Sequence, residues 1–273
     1  MLSVIIPASN EEGWIGGCLT ALFASDPVPG GAEAIVIANG CRDATADIAR
    51  GFAAQAEAAG WGFTVLDLAQ GGKMLALNAG DAAAKGDCRA YLDADVTVSP
   101  ALMAQIAAVL AAPGPRYAGG TPVIPRPRSA LSRAYARFWQ KLPFNRSPAP
   151  GYGLFAVNAA GRARWGEFPG IISDDTWVRL LFQPGERVQV PATYDWPMIE
   201  GYRALVRVRR RQNAGVAEIA AKWPELMGRE AKPPLGPAGL ARMALADPAG
   251  FAAYGAVLLG VRLGRSRGWT RGR

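Results

Sequence analysis

Four short apolar runs, each ending in a polar cluster and each followed by residues with helical spacing, constrain this chain more than any other feature. Residues 2–7 (LSVIIP) run into Ala8-Ser9-Asn10-Glu11-Glu12, and residues 34–38 (AIVIA) into Asn39-Gly40-Cys41-Arg42-Asp43. Residues 63–66 (FTVL) run into the segment from Asp67 to Lys73, and residues 90–92 (AYL) into Asp93-Ala94-Asp95. Short continuous apolar runs bounded by turn residues read as buried strands. Strands that alternate with helices predict an α/β fold with a mostly parallel sheet and right-handed crossovers. Ligands in such sheets bind beyond the carboxyl ends of the strands. All four polar clusters fall at that edge, so the spacing predicts one shared site.

Helices are expected over about 9–25, with Ser9 or Asn10 as N-cap, and over 44–59, 74–84, 100–112 and 129–142. Later strands are expected within 116–127 and over 154–157 and 188–194. Asp174-Asp175-Thr176-Trp177 opens a helix to about Phe182, with Ser173 placed to cap it. Two acidic residues in a first turn stabilise a helix start without any other role, and Asp-x-Asp suits an ordinary turn. Buried carboxylates, however, are costly unless something pairs them. The Asp93–Asp95 pair at a strand end is therefore also a candidate holder of a hard cation such as Mg²⁺, which takes one or two carboxylates plus phosphate oxygens. Lys73 follows Gly71-Gly72, which permit close approach of a ligand to the backbone. The aromatic stripe Tyr135, Phe138 and Trp139 reads as packing.

The chain contains no histidine, which excludes Ser-His-Asp hydrolases and His-ligated zinc. General-base work falls to Asp, Glu, Lys or Tyr. Three scattered cysteines give neither a zinc spacing nor a disulfide framework, and a reducing compartment is expected. The first residues lack the basic head of a signal peptide. Charge is divided: residues 1–112 carry 5 basic and 12 acidic side chains, residues 113–273 carry 25 and 10. The second half is therefore expected to meet something anionic. From Gly201 onward there are 14 basic and 4 acidic residues, densest at Arg207, Arg209, Arg210 and Arg211. Residues 248–261 are uncharged, with Arg262, Arg265 and Arg267 beyond them, and are too short to span a bilayer. They read as a core or interfacial helix.

Set together, SVIIPASNEE, IVIANGCRDAT, GGKMLALNAG, YLDADV, GYGLFAVN and SDDTWVRL stand in the order and spacing of the family 2 glycosyltransferases. The chain resembles that family over about residues 1–200. The resemblance implies the GT-A fold: a Rossmann-like, mostly parallel sheet flanked by helices, here followed by a basic helical C-terminal extension. It divides the chain into a transferase domain, 1–200, with a nucleotide-sugar half (1–112) and an acceptor half (113–200), and the extension, 201–273.

The same resemblance implies an inverting, metal-dependent transfer from a nucleoside-diphosphate sugar, a UDP-sugar first of all, to a hydroxyl of a glycan or lipid-linked acceptor. It places Pro7, Ala8 and Glu11 at the nucleoside, with Asn39 where the family usually carries an Asp. Asp67 would lie beside the base, Lys73 beside the nucleotide and Asp93 at the ribose. Asp95 would hold Mn²⁺ or Mg²⁺, and Asp174-Asp175 would carry the base, on Asp175. Arg207 or Arg210 would help offset the charge of the leaving diphosphate. The Gln-x-x-Arg-Trp motif of processive members is replaced by RVRRRQ at 207–212, so single addition is expected. The basic extension suggests a cytoplasmic protein, peripheral on an anionic inner membrane face, and no RNA or zinc-finger module points to nucleic acid. Two alternatives stand beside this reading. A sugar-nucleotide pyrophosphorylase would carry a Gly-rich, Arg-containing loop where Ala8–Glu12 stands. A catalytically degenerate GT-A-like protein would only dock on membrane.

Overall fold

Every residue of β2 (Ala32–Asn39) is buried, and β1 (Leu2–Ala8) is buried at all positions but Pro7. Both strands are covered on their two faces, as the continuous apolar runs require. Side chains alternate between those faces. Val4 and Ile6 join Leu19, Leu22 and Val36 in one core, while Ile5 joins Ile35, Ile37, Leu77 and Tyr91 in the other.

The computed structural model describes residues 1–263; Arg265 and Arg267 lie outside the described residues. After β1 come α1 (Ile15–Phe23), β2, α2 (Thr45–Arg50), α3 (Ala53–Ala58), β3 (Gly62–Leu68), α4 (Lys73–Ala83), β4 (Cys88–Leu92) and β5 (Thr97–Val98). Then follow α5 (Leu102–Leu110), β6 (Tyr117–Val123), α6 (Ala130–Trp139), β7 (Leu154–Val157), α7 (Ala159–Arg162), α8 (Asp174–Leu180) and β8 (Arg187–Asp195). The C-terminal part is α9 (Tyr202–Lys222), α10 (Pro237–Ala246) and α11 (Pro248–Leu263).

The eight strands form one sheet in the order β3-β2-β1-β4-β7-β6-β8-β5. The first four are parallel, and β6 pairs with β8 in parallel. Four of the seven neighbouring pairs are parallel, three of them in that first half, in keeping with the expected mostly parallel sheet. β7 runs antiparallel to both β4 and β6, and β5 antiparallel to β8. The reversal matters for the site. With Leu92 opposite Leu154, the turn that precedes β7 lies at the same edge as the Asp93–Asp95 cluster that follows β4.

Local structure departs from the sequence expectation at three places. α1 begins at Ile15, and neither Ser9 nor Asn10 caps it. Asn10 adopts a left-handed conformation (φ 58°) and its side-chain oxygen accepts the Arg42 N–H at 2.8 Å. The Glu11 N–H donates to Thr45 Oγ1 at 2.8 Å, and Glu12 Oε2 accepts the Ala44 N–H at 3.2 Å. The first two edge loops are thus laced to each other, and that lacing displaces the helix start. The helix expected over 44–59 breaks into α2 and α3 around Gly51 and Phe52. Ser173 makes no side-chain cap on α8; Asp175 Oδ1 accepts the Thr176 N–H at 2.6 Å instead. Ser129 does cap α6, through the Ser132 N–H at 3.1 Å.

The C-terminal helices are packed unequally. Ile219 of α9 enters the second core, and Leu205 and Val206 join Tyr135, Trp139, Tyr152, Ala253 and Val257 in a third apolar cluster. Asp247 fastens α11. Its Oδ1 accepts the Gly250 N–H at 2.9 Å, and its carboxylate takes a two-pronged contact from Arg137 at 2.7 and 2.7 Å. The Arg137 guanidinium holds that carboxyl well below the usual carboxylate range. α10 has no buried residue.

Candidate active site

A cavity of about 340 Å³ opens at the carboxyl edge of the sheet. One wall is built from the ends of consecutive parallel strands: Pro7, Ser9, Asn10 and Glu11 after β1, Asn39 at the end of β2, and Asp93, Ala94 and Asp95 after β4. Gly72 and Lys73, at the start of α4, complete it. The facing wall comes from distant sequence: Tyr135 and Trp139 of α6, the turn 196–199, and Leu205, Val208, Arg209, Arg211 and Gln212 of α9. A small recess of about 20 Å³ adjoins the cavity and shares Pro7, Lys73 and Asp93 with it. Gly151, Gly153, Asp174 and Asp175 line its far side.

Lys73 joins the two halves. Its Nζ lies 3.1 Å from Asp93 Oδ1 and 3.2 Å from Asp174 Oδ2. Burial by itself would lower the Lys73 pKa; the Asp174, Asp93 and Asp175 carboxylates outweigh it, and the net shift is upward. The ammonium therefore stays charged and compensates carboxylates that would otherwise repel one another. Asp174 is buried, its side chain 5% exposed, so its charge is carried by this pairing.

Asp175 has a different environment. Burial, and then the adjacent Asp174 carboxylate, push it up to about 6, against the pull of Lys73 and of the Thr176 N–H. Its place depends on two close approaches. A Cβ added to Gly151, at φ 86°, would lie 2.0 Å from Tyr117 Oη, so only glycine allows the turn beside the recess. A Cβ added to Gly215 would lie 2.1 Å from Ser173 Oγ, so a glycine in α9 lets that helix rest on the residue preceding Asp174.

The donor set suits a hard cation shared with a ligand. Among the described residues no group of three or more acidic or cysteine side chains is placed to hold a metal ion, so the protein offers no closed cage. Asp95 does face the cavity beside Asp93. One or two carboxylates completed by phosphate oxygens and water is the usual arrangement for Mg²⁺.

Most of the residues singled out from sequence meet here. Pro7, Glu11, Asn39, Lys73, Asp93 and Asp95 line the cavity, and Asp174 and Asp175 the recess. Others stand elsewhere. Ala8 is buried in the sheet, where its carbonyl accepts Asn39 Nδ2 at 2.9 Å. The Asn39 amide also donates to Ile37 O and accepts the Gly72 N–H at 2.9 Å, so it ties β1 to the loop before α4. Asp67 is outside the lining and takes Arg50 Nη2 at 2.8 Å. Arg207 is exposed, and Arg210 donates to the Gly260 and Val261 carbonyls at the end of α11. Neither Arg207 nor Arg210 lines the cavity; Arg209 and Arg211 do. At 100° per residue, 205, 208, 209 and 212 share one face of a helix, while 207 and 210 fall nearly opposite. Leu205 and Val208 marked that face in the sequence. Arg209 Nε is buried without a hydrogen-bond partner.

Comparison with known proteins bears on the fold and the family. No curated protein sequence matches the chain. Among solved structures, a mannosyltransferase from Pyrobaculum calidifontis, in complex with GDP-Man and Mn²⁺, superposes with a TM-score of 0.60 at 21% identity, covering 97% of this chain and 76% of that one. TarS of S. aureus, with UDP-GlcNAc, gives 0.55 at 17% identity over 95% and 81%. Glucosyl-3-phosphoglycerate synthase of Mycobacterium tuberculosis, with Mn²⁺, UDP and glucosyl-3-phosphoglycerate, gives 0.54 at 18% identity over 86% and 82%. These likenesses establish the shared GT-A fold. The sequence profile of Glycosyl transferase family 2 matches residues 3–165, well over half of the chain, and the chain belongs to that family of glycosyltransferases.

Proposed function

We propose that this protein moves a sugar, with inversion, from a nucleoside-diphosphate sugar to a hydroxyl of a glycan or lipid-linked acceptor, one addition at a time. A UDP-sugar is the first donor to test. The observation that carries the reading is Lys73, whose contacts at 3.1 and 3.2 Å bind the Asp93 turn and the Asp174 helix start to a single cleft. The bound ligands of the structural neighbours, GDP-Man, UDP-GlcNAc and UDP with Mn²⁺, support the donor class.

The nucleoside lies against Pro7, Glu11 and the loop that Asn39 braces. Asp95, beside Asp93, would hold Mn²⁺ or Mg²⁺ together with the diphosphate. A cation held there supplies Lewis-acid compensation for the charge of the departing phosphate. Arg209 and Arg211 add positive charge from the facing wall. The acceptor oxygen attacks the anomeric carbon on the face away from the diphosphate, that bond breaks, and the acceptor proton passes to Asp175. Asp174, fixed by Lys73, positions Asp175 and raises its basicity. Thermal-shift measurement with UDP-, GDP- and dTDP-sugars tests the donor. One nucleotide should stabilise the protein in Mn²⁺ at concentrations well above its dissociation constant, by roughly 3 kcal/mol at a hundredfold excess. The absence of any nucleotide-dependent shift contradicts the reading.

The extension adds a contact with an anionic membrane surface. α10 buries nothing, and Leu245, Leu259 and Leu263 are 82%, 58% and 83% exposed. The sequence from residue 231 carries seven basic side chains and one acidic one, Asp247, which Arg137 already engages. Exposed apolar area combined with basic charge is what draws a helix into a lipid interface. No single described helix is long and apolar enough to cross a membrane, and α10 and α11 meet at a bend of 120°. The full chain should float with vesicles containing phosphatidylglycerol and not with neutral ones. Replacing Leu245, Leu259 and Leu263 by glutamate should abolish flotation; binding that ignores both changes contradicts this contact.

A further inference from the structure

The wall facing the donor residues carries six apolar or aromatic side chains, Tyr135, Trp139, Trp196, Met198, Leu205 and Val208, beside Arg209, Arg211 and Gln212. We infer that the acceptor is amphiphilic, with a hydroxyl-bearing head at Asp175 and an apolar tail laid along this wall; the inference rests on the transfer reaction proposed above. In that reaction the oxygen of the head group forms the new bond to the anomeric carbon, the diphosphate departs with its bonding pair, and the proton goes to Asp175.

Two features favour a tail over a water-soluble glycan. A desolvated sugar brings hydroxyls that each need a partner, and the aliphatic side chains of Met198, Leu205 and Val208 supply none. Aromatic side chains do stack on sugars, but Trp139 and Trp196 stack on each other, with ring centroids 5.8 Å apart and planes 27° apart, and Tyr152 lies 4.7 Å from Trp196. The indoles thus cover one another instead of presenting an open platform.

The wall is also continuous with the surface assigned to the membrane. Tyr135, Trp139 and Leu205 belong to the same apolar cluster as Ala253 and Val257 of α11, with Trp196 and Met198 packed against it. α11 carries no charge between Pro248 and Val261. The spacing of its exposed side chains Phe251, Leu259 and Leu263, four and eight residues apart, sets them along one face. A helix that is apolar all round belongs in a core or a lipid phase. The apolar cluster thus ties the cavity wall to α11, whose outer face carries Phe251, Leu259 and Leu263.

The test uses the full chain with UDP and Mn²⁺, titrated by calorimetry with glucose and with butyl, hexyl and octyl β-D-glucoside below their micelle concentrations. Each buried methylene tightens binding roughly fourfold. Affinity should rise at least about tenfold from the butyl to the octyl glucoside if half of the added chain is buried. Val208→Asp, and independently Met198→Asp, should remove the chain-length dependence. Leu259→Asp, on the outer face of α11, should leave it intact. Far-UV circular dichroism and thermal melting report that all three fold, and UDP affinity in Mn²⁺ should stay at the wild-type level in Leu259→Asp. Glucose binding as tightly as octyl glucoside, or a chain-length dependence that survives both cavity variants, overturns the inference. Failure of the wild-type protein to bind any nucleotide with Mn²⁺ sinks the donor assignment instead, and is read separately from the alkyl series.

Discussion

Asp175→Asn is expected to reduce turnover by about 10²–10⁴-fold, the usual contribution of a positioned general base, with nucleotide affinity unchanged. An amide of the same shape keeps the packing around α8 but accepts no proton. The pH dependence makes the assignment specific. Because burial and Asp174 raise the Asp175 pKa to about 6, the group is protonated and inactive below that pH and ionised above it. Wild-type kcat/KM should therefore climb with pH and level off above about 6, and that limb should vanish in Asp175→Asn. A variant with near-full transfer, or one that keeps the same limb, places the base elsewhere. Asp174→Asn offers a contrast. It removes the neighbouring charge that raises Asp175 most and frees Lys73 from its 3.2 Å partner, so the limb should move to lower pH instead of disappearing.

The second large effect is expected at Asp95. Asp95→Ala should abolish the stimulation of nucleotide binding by Mn²⁺ while leaving metal-free binding as it is. Coupling between two bound ligands is typically worth about 5–150-fold and is reciprocal, so UDP should also cease to tighten Mn²⁺ binding by the same factor. Calorimetry in both directions measures this. The expectation follows from the shape of the site: with few carboxylates facing the cavity, a cation held there would depend on the diphosphate for much of its shell, and the diphosphate on the cation for charge compensation. Unchanged UDP affinity in Mn²⁺ would remove Asp95 from the metal site.

Much of the strand-end wall of the cavity was legible in the sequence because its rule is local. An apolar run followed by a polar cluster states both that a strand is buried and which end meets solvent, and Pro7, Glu11, Asn39, Asp93 and Asp95 follow from it. Direction is not local. Nothing in residues 154–157 tells that β7 is inserted in reverse between β4 and β6, though that reversal brings Gly151 and Gly153 beside Asp93. Asn10 illustrates tertiary override: it suits an N-cap, yet its bond to the Arg42 N–H fixes it in a left-handed turn and helix formation waits until Ile15. Along α9 the density of arginine does not tell which of them face the cavity; helical phase does. Leu205 and Val208 point to the face that holds Arg209, and Arg210 faces the end of α11. The apolar wall needed the structure, because Trp139, Trp196 and Val208 lie on three elements whose meeting no spacing announces.

The claim underneath all of this is that one cleft holds a cation-bound diphosphate on one side and a proton acceptor on the other. Crystals grown with UDP and Mn²⁺, measured at the manganese absorption edge, examine it directly. An anomalous peak is expected at the Asp95 carboxylate, beside the bound diphosphate, with Asp175 facing the same chamber across Lys73. A peak at any other residue, or nucleotide bound away from Pro7 and Asp93, contradicts it.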